Sequence, residues 1–221
     1  MREFNRLGQP HYQAHQTAYA ITILVYDAVP IPVIKKFKQR RIDTLLDIDQ
    51  DGLPDKALRK AEARSRFERE LEKLLANQNA QSHPFKIPEV AKAIQDYLHR
   101  FDGILYTLHC YSVMSNHVHF LIDLQPQLTE LEDGTWSQPE VPLDKVIGRI
   151  KGGSAFAANR VLGRKGDLWM PGYHDRYIRS DLHYGYTYDY FLLNPVKAGL
   201  VKEWRDHFGT WGHGLEVAQW K

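Results

Sequence analysis

The stretch ILYTLHCYSVMSNHVHFLIDL, residues 104–124, predicts two antiparallel strands joined by a tight turn. Its two halves, Ile104–Met114 and His117–Leu124, are rich in the β-branched and aromatic residues that are typical of strands. Only Ser115 and Asn116 separate them, which fits a two-residue hairpin loop. The other predicted elements are expected to pack on this hairpin.

The second strand of the hairpin has one apolar face and one face that carries two histidines. Side chains alternate between the faces of a strand, so His117 and His119 point the same way. The residues that point the other way are all apolar: Val118, Phe120, Ile122 and Leu124. The histidines therefore lie opposite the core face. Neighbouring imidazoles on one face can chelate a metal ion, and ordinary surface histidines are the alternative.

The remaining elements complete a recognisable order. Thr17–Pro30 predicts a strand, and Tyr173–Ser180 predicts a second, short one. Apolar residues at helical spacing predict helices over residues 32–46, 54–78, 87–101, 142–163 and 181–194. The order β-α-β-β-α-β with an added C-terminal helix predicts an α+β, ferredoxin-like antiparallel sheet. Its helices are expected on one face, which leaves the other face free for a site.

The order of these elements predicts one domain that spans residues 1–221. A charged helical insertion at about residues 40–85 is expected to be an exposed excursion, and about residues 200–221 form a C-terminal tail. The helix over residues 142–163 is expected to be weakened at Gly152–Gly153, because glycine is a poor helix former.

The last helix combines a core stripe with a tyrosine outside it. The predicted core stripe is Tyr184, Tyr188, Phe191 and Leu192, at the i, i+4, i+7 and i+8 spacing of a buried helix face. Tyr190 lies off this stripe, and Asn194 follows it by one turn. A tyrosine beside a polar neighbour is a candidate nucleophile for a phosphate, although four tyrosines in one helix make a chance placement easy.

Composition narrows the function classes. The chain has 221 residues, 43% of them hydrophobic, and a mean hydropathy of −0.49, which fits one sizeable core. No apolar run approaches the roughly 20 residues that cross a bilayer, and the polar N-terminus lacks a signal-peptide pattern, so a cytoplasmic protein is expected. The single Cys110 excludes an internal disulfide and a multi-cysteine zinc site.

Charge is unevenly distributed along the chain. The net charge is only +2, but residues 144–180 contain eight Lys and Arg against three Asp. A basic face on a nearly neutral protein suggests a phosphate-bearing partner, and an ordinary solvated helix face is the alternative.

Three stretches together resemble a known family. YSVMSNHVHFLI (residues 111–122), LWMPGYHDRYIR (residues 168–179) and YDYFLLNPVKAGLV (residues 188–201) are similar to the HUH single-tyrosine transposases, above all to the REP-associated tyrosine transposases. The stretch HYQAHQTAYAITILVYDAVP (residues 11–30) resembles the opening strand of that family. The resemblance covers most of the chain in order and spacing and is weakest over about residues 40–85. Ser115 departs from the proline that many relatives carry before the histidine motif.

The resemblance implies a function and its residues. It implies that the chain cleaves and rejoins single-stranded or hairpin DNA through a 5′-phosphotyrosine intermediate on Tyr190. His117 and His119 would bind Mg²⁺ or Mn²⁺, with Asn194 as a candidate third ligand. The candidates for DNA contact are six basic and two aromatic residues: Lys151, Arg160, Arg164, Lys165, Arg176, Arg179, Trp169 and Tyr173. His174 and Asp175 are candidates for a supporting role, and the family resemblance favours a monomer.

Two other functions remain open from the sequence. The chain could be a nucleic-acid hairpin-binding protein that does not cut, or an unrelated metallohydrolase built on the two histidines. A non-cutting binder predicts that Tyr190→Phe changes no activity. A metallohydrolase predicts turnover of a small substrate without a covalent protein–DNA species.

Overall fold

The computed structural model describes residues 18–76 and 82–213, together with the backbone of two short strands that precede them. In chain order the elements are β1 (Glu3–Arg6), β2 (Gln9–Tyr12), β3 (Ala18–Leu24), α1 (Ile31–Gln50), α2 (Lys56–Leu75), α3 (Pro88–His99), β4 (Thr107–Val113), β5 (His117–Asp123), α4 (Leu143–Val161), β6 (His174–Tyr177), α5 (Asp181–Leu192), α6 (Asn194–Lys197) and β7 (Thr210–Gly212). The strand predicted over Thr17–Pro30 ends earlier than expected, at Leu24.

The five strands β6-β3-β5-β4-β7 form one antiparallel sheet in that spatial order. The hairpin of β4 and β5 turns at Ser115–Asn116, where the Met114 amide donates to the carbonyl oxygen of His117 at 2.9 Å. Strand β5 therefore lies in the middle of the sheet, between β3 and β4. The predicted α+β arrangement is confirmed, with β7 added at one edge.

Helices α3 and α4 pack on one face of the sheet, over the main core. Val118, Phe120 and Ile122 of β5 point into this core, as predicted. The two helices approach closely at Gly153, where an added Cβ would lie 1.9 Å from Cε1 of Tyr97. The glycine that weakens α4 as a helix is thus the residue that lets α3 pack against it. Helix α4 continues through this position without a break.

Helix packing extends to the opposite face of the sheet, so the prediction that helices lie on one face only is wrong, although the two histidines expected to form a site do point to that second face. Helix α5 lies on it and forms a second core with the small or apolar side chains that β3, β4 and β5 direct there. The buried members of this core are Ala20, Cys110, Leu121, Ile178, Tyr188, Phe191, Leu192 and Trp204. The face is covered because α5 carries the predicted apolar stripe, which must be removed from water.

Helices α1 and α2 do not form an exposed excursion, and that prediction is also wrong. Phe67, Leu71 and Leu75 of α2 are buried in the main core, and the Phe67 ring packs edge-on against Phe37 of α1 at a centroid distance of 5.6 Å. Leu58, in contrast, is 60% exposed. The apolar stripe recurs every fourth residue and fixes α2 against the body of the protein.

Part of the segment predicted as a C-terminal tail belongs to the sheet. Strand β7 pairs with β4, and Oγ of Ser112 lies 3.0 Å from Oγ1 of Thr210 across the two strands. The remainder of the predicted tail, residues 214–221, lies outside the described residues.

Candidate metal centre and cleft

The two histidines of β5 lie next to each other beneath the second layer of helices. His117 is 4% exposed and His119 is 1% exposed, and their ring centroids are 4.7 Å apart. Both point away from the main core, as the alternation of the strand predicts. The histidines are thus neither core histidines of the main layer nor surface histidines.

A hydrogen bond at the Nδ1 atom fixes the orientation of each imidazole. Nδ1 of His117 lies 2.8 Å from Oδ1 of Asn116, and Nδ1 of His119 lies 2.8 Å from Oγ1 of Thr22. Oδ1 of Asn116 only accepts, so Nδ1 of His117 carries the proton and its Nε2 keeps a free lone pair, whereas the Thr22 hydroxyl accommodates either tautomer of His119. Both Nε2 atoms are buried and have no hydrogen-bond partner among the described residues. Outer hydrogen bonds of this kind orient histidines that bind metal.

A glutamate on α2 completes the cluster. Oε1 of Glu72 lies 3.3 Å from Nε2 of His119, and the ligand atoms of Glu72, His117 and His119 all lie within 4.8 Å of one another. Two imidazole nitrogens and a carboxylate form a donor set that suits a divalent transition metal such as Mn²⁺. The three residues therefore form a cluster that fits a metal ion.

Electrostatics keep His117 and Glu72 unprotonated near neutral pH. Burial lowers the pKa of His117 to about 3, assisted by repulsion from His119 and opposed by Glu72. Burial by itself raises the pKa of Glu72, but the electrostatic influence of His119 and His117 outweighs it and lowers the pKa to about 2. A metal thus has no proton to displace from His117 or Glu72 near neutral pH.

Tyr190 and Asn194 meet the cluster from α5 and α6. The Tyr190 ring centroid is 6.3 Å from that of His119, and Nζ of Lys197 lies 4.4 Å from the Tyr190 centroid. Burial raises the pKa of Tyr190, and so do the charge of Glu72 and a hydrogen bond to it. Asn194 is 7% exposed, and its buried Nδ2 has no hydrogen-bond partner among the described residues. The predicted nucleophile and the candidate ligands thus share one site.

Sequence reasoning missed Glu72. Helix α2 carries many charged residues, and nothing in its pattern distinguishes Glu72 from Glu62, Glu68 or Glu70. The only available signal is that Glu72 directly follows Leu71 of the buried stripe, which places it at the border of the packed face. Distance along the chain hides the rest, because α2 and β5 meet only in the folded molecule.

A cleft of about 430 Å³ opens beside the cluster, between α1, α2 and α5. His119, Glu72 and Tyr190 line it, and so do the two predicted supporting residues His174 and Asp175. Strand β6 places His174 opposite Thr22 in the sheet register, beside the residue that orients His119. The structure therefore brings the supporting candidates to the same cavity as the predicted nucleophile.

The predicted DNA-contact residues separate into three groups. Arg176 lines the cleft, and Arg179 is exposed just before α5. Three others, Arg160, Arg164 and Lys165, are exposed at the end of α4 and are not among the described residues that line the cleft.

The third group makes contacts inside the protein. Nζ of Lys151 donates to the carbonyl oxygens of Met170 and Gly172 at 2.7 and 2.6 Å. Trp169 is 6% exposed and donates to Oγ of Ser154, and Tyr173 is 8% exposed in the main core. Base stacking by Trp169 and Tyr173 and phosphate contact by Lys151 stay predictions.

Comparisons with known proteins give a structural likeness. No family model matches the chain, and no curated protein matches it. Among solved structures, it is similar to a REP-associated tyrosine transposase bound to a REP hairpin, at 15% sequence identity and a TM-score of 0.47. The match covers 93% of this chain and 79% of that one. None of the helices in the described parts of the chain is long and apolar enough to span a membrane.

Proposed function

We propose that this chain is a metal-dependent single-stranded DNA endonuclease and strand transferase that uses Tyr190 as its nucleophile. One observation carries the proposal: Tyr190 lines the same cleft as His119 and Glu72, with its ring centroid 6.3 Å from that of His119, and the Glu72 carboxylate lies 3.3 Å from Nε2 of His119. Tyr190 of α5 thus lies beside residues of β5 and α2 that fit a divalent ion, which supports its assignment as the nucleophile. Phosphoryl transfer needs these two components together.

His117, His119 and Glu72 would hold Mg²⁺ or Mn²⁺, with Asn194 as a candidate fourth ligand. Bound there, the ion supplies Lewis acidity to a non-bridging phosphate oxygen and stabilises charge that develops in the transition state. The two imidazoles favour Mn²⁺ over Mg²⁺ on ligand preference.

The chain itself positions the nucleophile. Oη of Tyr190 attacks the phosphorus, the new O–P bond forms, and the bond to the 3′-oxygen breaks. The phenol proton of Tyr190 passes to water, the 3′-oxygen takes a proton from water and leaves as a hydroxyl, and the 5′-phosphate stays on Tyr190. The ammonium of Lys197 over the ring favours the negative charge that develops on Oη. Because the phosphotyrosine conserves the bond energy, a 3′-hydroxyl can reverse the step and join a strand without a nucleotide cofactor.

The substrate class follows from the cleft and from the motifs. Arginines line the cleft beside Tyr190, which suits the phosphates of a nucleic-acid backbone. The resemblance of the motifs to REP-associated tyrosine transposases narrows this class to hairpin or palindromic single-stranded DNA. The same resemblance favours a monomer.

Covalent trapping tests the proposal. The protein is incubated with labelled single-stranded DNA hairpins from its own genome and Mn²⁺, and the SDS-resistant protein–DNA species is measured. We expect a covalent band that disappears in Tyr190→Phe and His117→Ala. The matched control is Tyr184→Phe, which removes a hydroxyl from the same helix on the side that packs against His109.

Each contrary result identifies an alternative. A covalent band that persists in Tyr190→Phe would refute Tyr190 as the nucleophile. Hairpin binding without a covalent band, unchanged in Tyr190→Phe, would identify a non-cutting binder. Turnover of a small phosphoester without a covalent species would identify a metallohydrolase.

A further inference from the structure

Besides the residues that fit a metal, the cleft has its own set of anion-binding groups. Four arginines line the cleft as a whole: Arg41, Arg64, Arg69 and Arg176. The carboxylates on its wall are Glu68, Glu72 and Asp175, and Glu72 belongs to the metal cluster. Once Glu72 is assigned to the metal, four arginines face two carboxylates. The charged insertion supplies three of these arginines, and β6 supplies Arg176.

Glu68 organises two of these arginines. Its Oε2 accepts from Nη1 of Arg176 at 2.6 Å, and its charge acts on Arg41, which lines the same cleft. Arg41 is also attracted by Asp175 and repelled by Arg64. Arg41 of α1 and Arg176 of β6 thus face the same cleft as Glu68, and with Arg64 and Arg69 the guanidinium groups that line it outnumber Glu68 and Asp175. Guanidinium groups are the side chains best suited to bind phosphate oxygens.

His183 adds a neutral donor whose direction is fixed by the fold. Its Nδ1 accepts a hydrogen bond from the backbone amide of Arg179 at 3.2 Å. An Nδ1 that accepts carries no proton, so the proton of the neutral ring is on Nε2. Nε2 is buried and has no partner among the described residues, while the side chain lines the cleft. An N–H that finds no acceptor in the protein is available to a ligand oxygen.

The position of His183 relates this set to the nucleophile. His183 precedes Tyr190 by two helical turns on α5, which is about 10 Å along the helix axis. A stacked strand that rises about 3.4 Å per nucleotide covers that distance in about three nucleotides. A strand with its scissile phosphate at Tyr190 therefore reaches His183 with another phosphate of its backbone.

We infer that His183, Arg176 and Arg41 form a second phosphate subsite, which binds a backbone phosphate of the single strand about three nucleotides from the scissile one. The inference rests on the proposed function for the class of substrate. The subsite sets the register of the strand over Tyr190, and it gives the charged insertion a role in substrate binding. It needs no base contact, so it acts on any sequence.

A coupling experiment between protein and DNA tests the subsite. In a Tyr190→Phe background, single methylphosphonate substitutions remove the charge of one phosphate at a time along a labelled single-stranded DNA hairpin. Affinity is measured by fluorescence anisotropy. We expect one neutralised phosphate away from the scissile position to weaken binding about tenfold. In His183→Glu that same substitution is expected to have little effect.

The variants are chosen to keep the fold. A glutamate at position 183, the third residue of α5, can accept the amide hydrogen bond that His183 accepts, and its charge suits a helix N-terminus while repelling phosphate. Arg176→Gln is the second variant, and we expect it to reduce the salt slope of binding by about 0.7. The matched control is Arg66→Gln, an exposed arginine of α2 outside the cleft. Thermal unfolding verifies each fold.

The outcomes separate the two proposals. An unchanged methylphosphonate profile in both variants overturns the subsite, whether or not wild-type protein cuts DNA. If the effect of neutralising one phosphate disappears in the variants, the subsite is supported even when no covalent species forms. In that case only the proposed cutting activity is refuted. Absence of DNA binding by the wild-type fold overturns both.

Discussion

Three side chains form the candidate metal site: His117, His119 and Glu72. Neighbouring groups fix the orientation of each histidine and the charge of the glutamate. Asn116 and Thr22 hold the Nδ1 atoms of His117 and His119, so both Nε2 atoms turn toward Glu72. Glu72 remains ionised because the electrostatic influence of the two histidines outweighs its burial. The donor set is therefore formed before any ion arrives, which lowers the cost of binding one.

Removal of the carboxylate should weaken metal binding with little loss of fold. We expect Glu72→Gln to lower Mn²⁺ affinity by at least about tenfold, because the variant loses the only negative ligand of the cluster. Isothermal titration with Mn²⁺ measures the change. Glu62→Gln on the exposed side of α2 is the control, and equal affinities for the two variants would exclude Glu72 as a ligand.

At the scale of elements, two adjacent glycines in α4 differ sharply in what surrounds them. A Cβ at Gly152 meets no atom within 4 Å, whereas one at Gly153 lies 1.9 Å from Cε1 and 2.6 Å from Cζ of Tyr97. Helix propensity favours alanine at both positions by about 1 kcal/mol. Only at Gly153 does the packing of α3 on α4 oppose that preference.

The two glycines therefore predict opposite effects on stability. Gly152→Ala should raise the free energy of unfolding by about 0.5–1 kcal/mol. Gly153→Ala should lower it by about 1–3 kcal/mol, because the Tyr97 ring must move out of a packed interface. Urea unfolding of both variants measures the difference, and a stabilised Gly153→Ala would show that α3 and α4 do not need the close approach.

At the scale of the whole molecule, the charged helices and the sheet share one core. Phe67, Leu71 and Leu75 of α2 lie in the same buried cluster as the β5 side chains Val118 and Phe120. The cluster that fits a metal also joins α2 to β5, since Glu72 comes from α2 and the histidines come from β5. Stability and the candidate site thus depend on the same contact between insertion and sheet.

Loss of that contact should affect the entire protein. Phe67→Ala is expected to cost about 3–5 kcal/mol of unfolding free energy, because Phe67 is 3% exposed and packs against Phe37. Circular dichroism and tryptophan fluorescence should report one coincident transition. Leu58→Ala, at a residue 60% exposed on the same helix, should change stability by less than about 0.5 kcal/mol. Two separate transitions in Phe67→Ala would show an independent insertion.

The sequence by itself determined the hairpin of β4 and β5, the face on which His117 and His119 lie, and the stripe of α5 that leaves Tyr190 outside it. These features follow from the side-chain period of 2 residues in a strand and 3.6 residues in a helix, which relates residues that are close together in the chain. Only the tertiary structure decided that α2 packs into the core, that α5 covers the second face, and that Glu72 stands beside His119. Those contacts join residues that are far apart in sequence. A local pattern predicts that a helix has an apolar face, but it does not indicate which distant surface will bury that face.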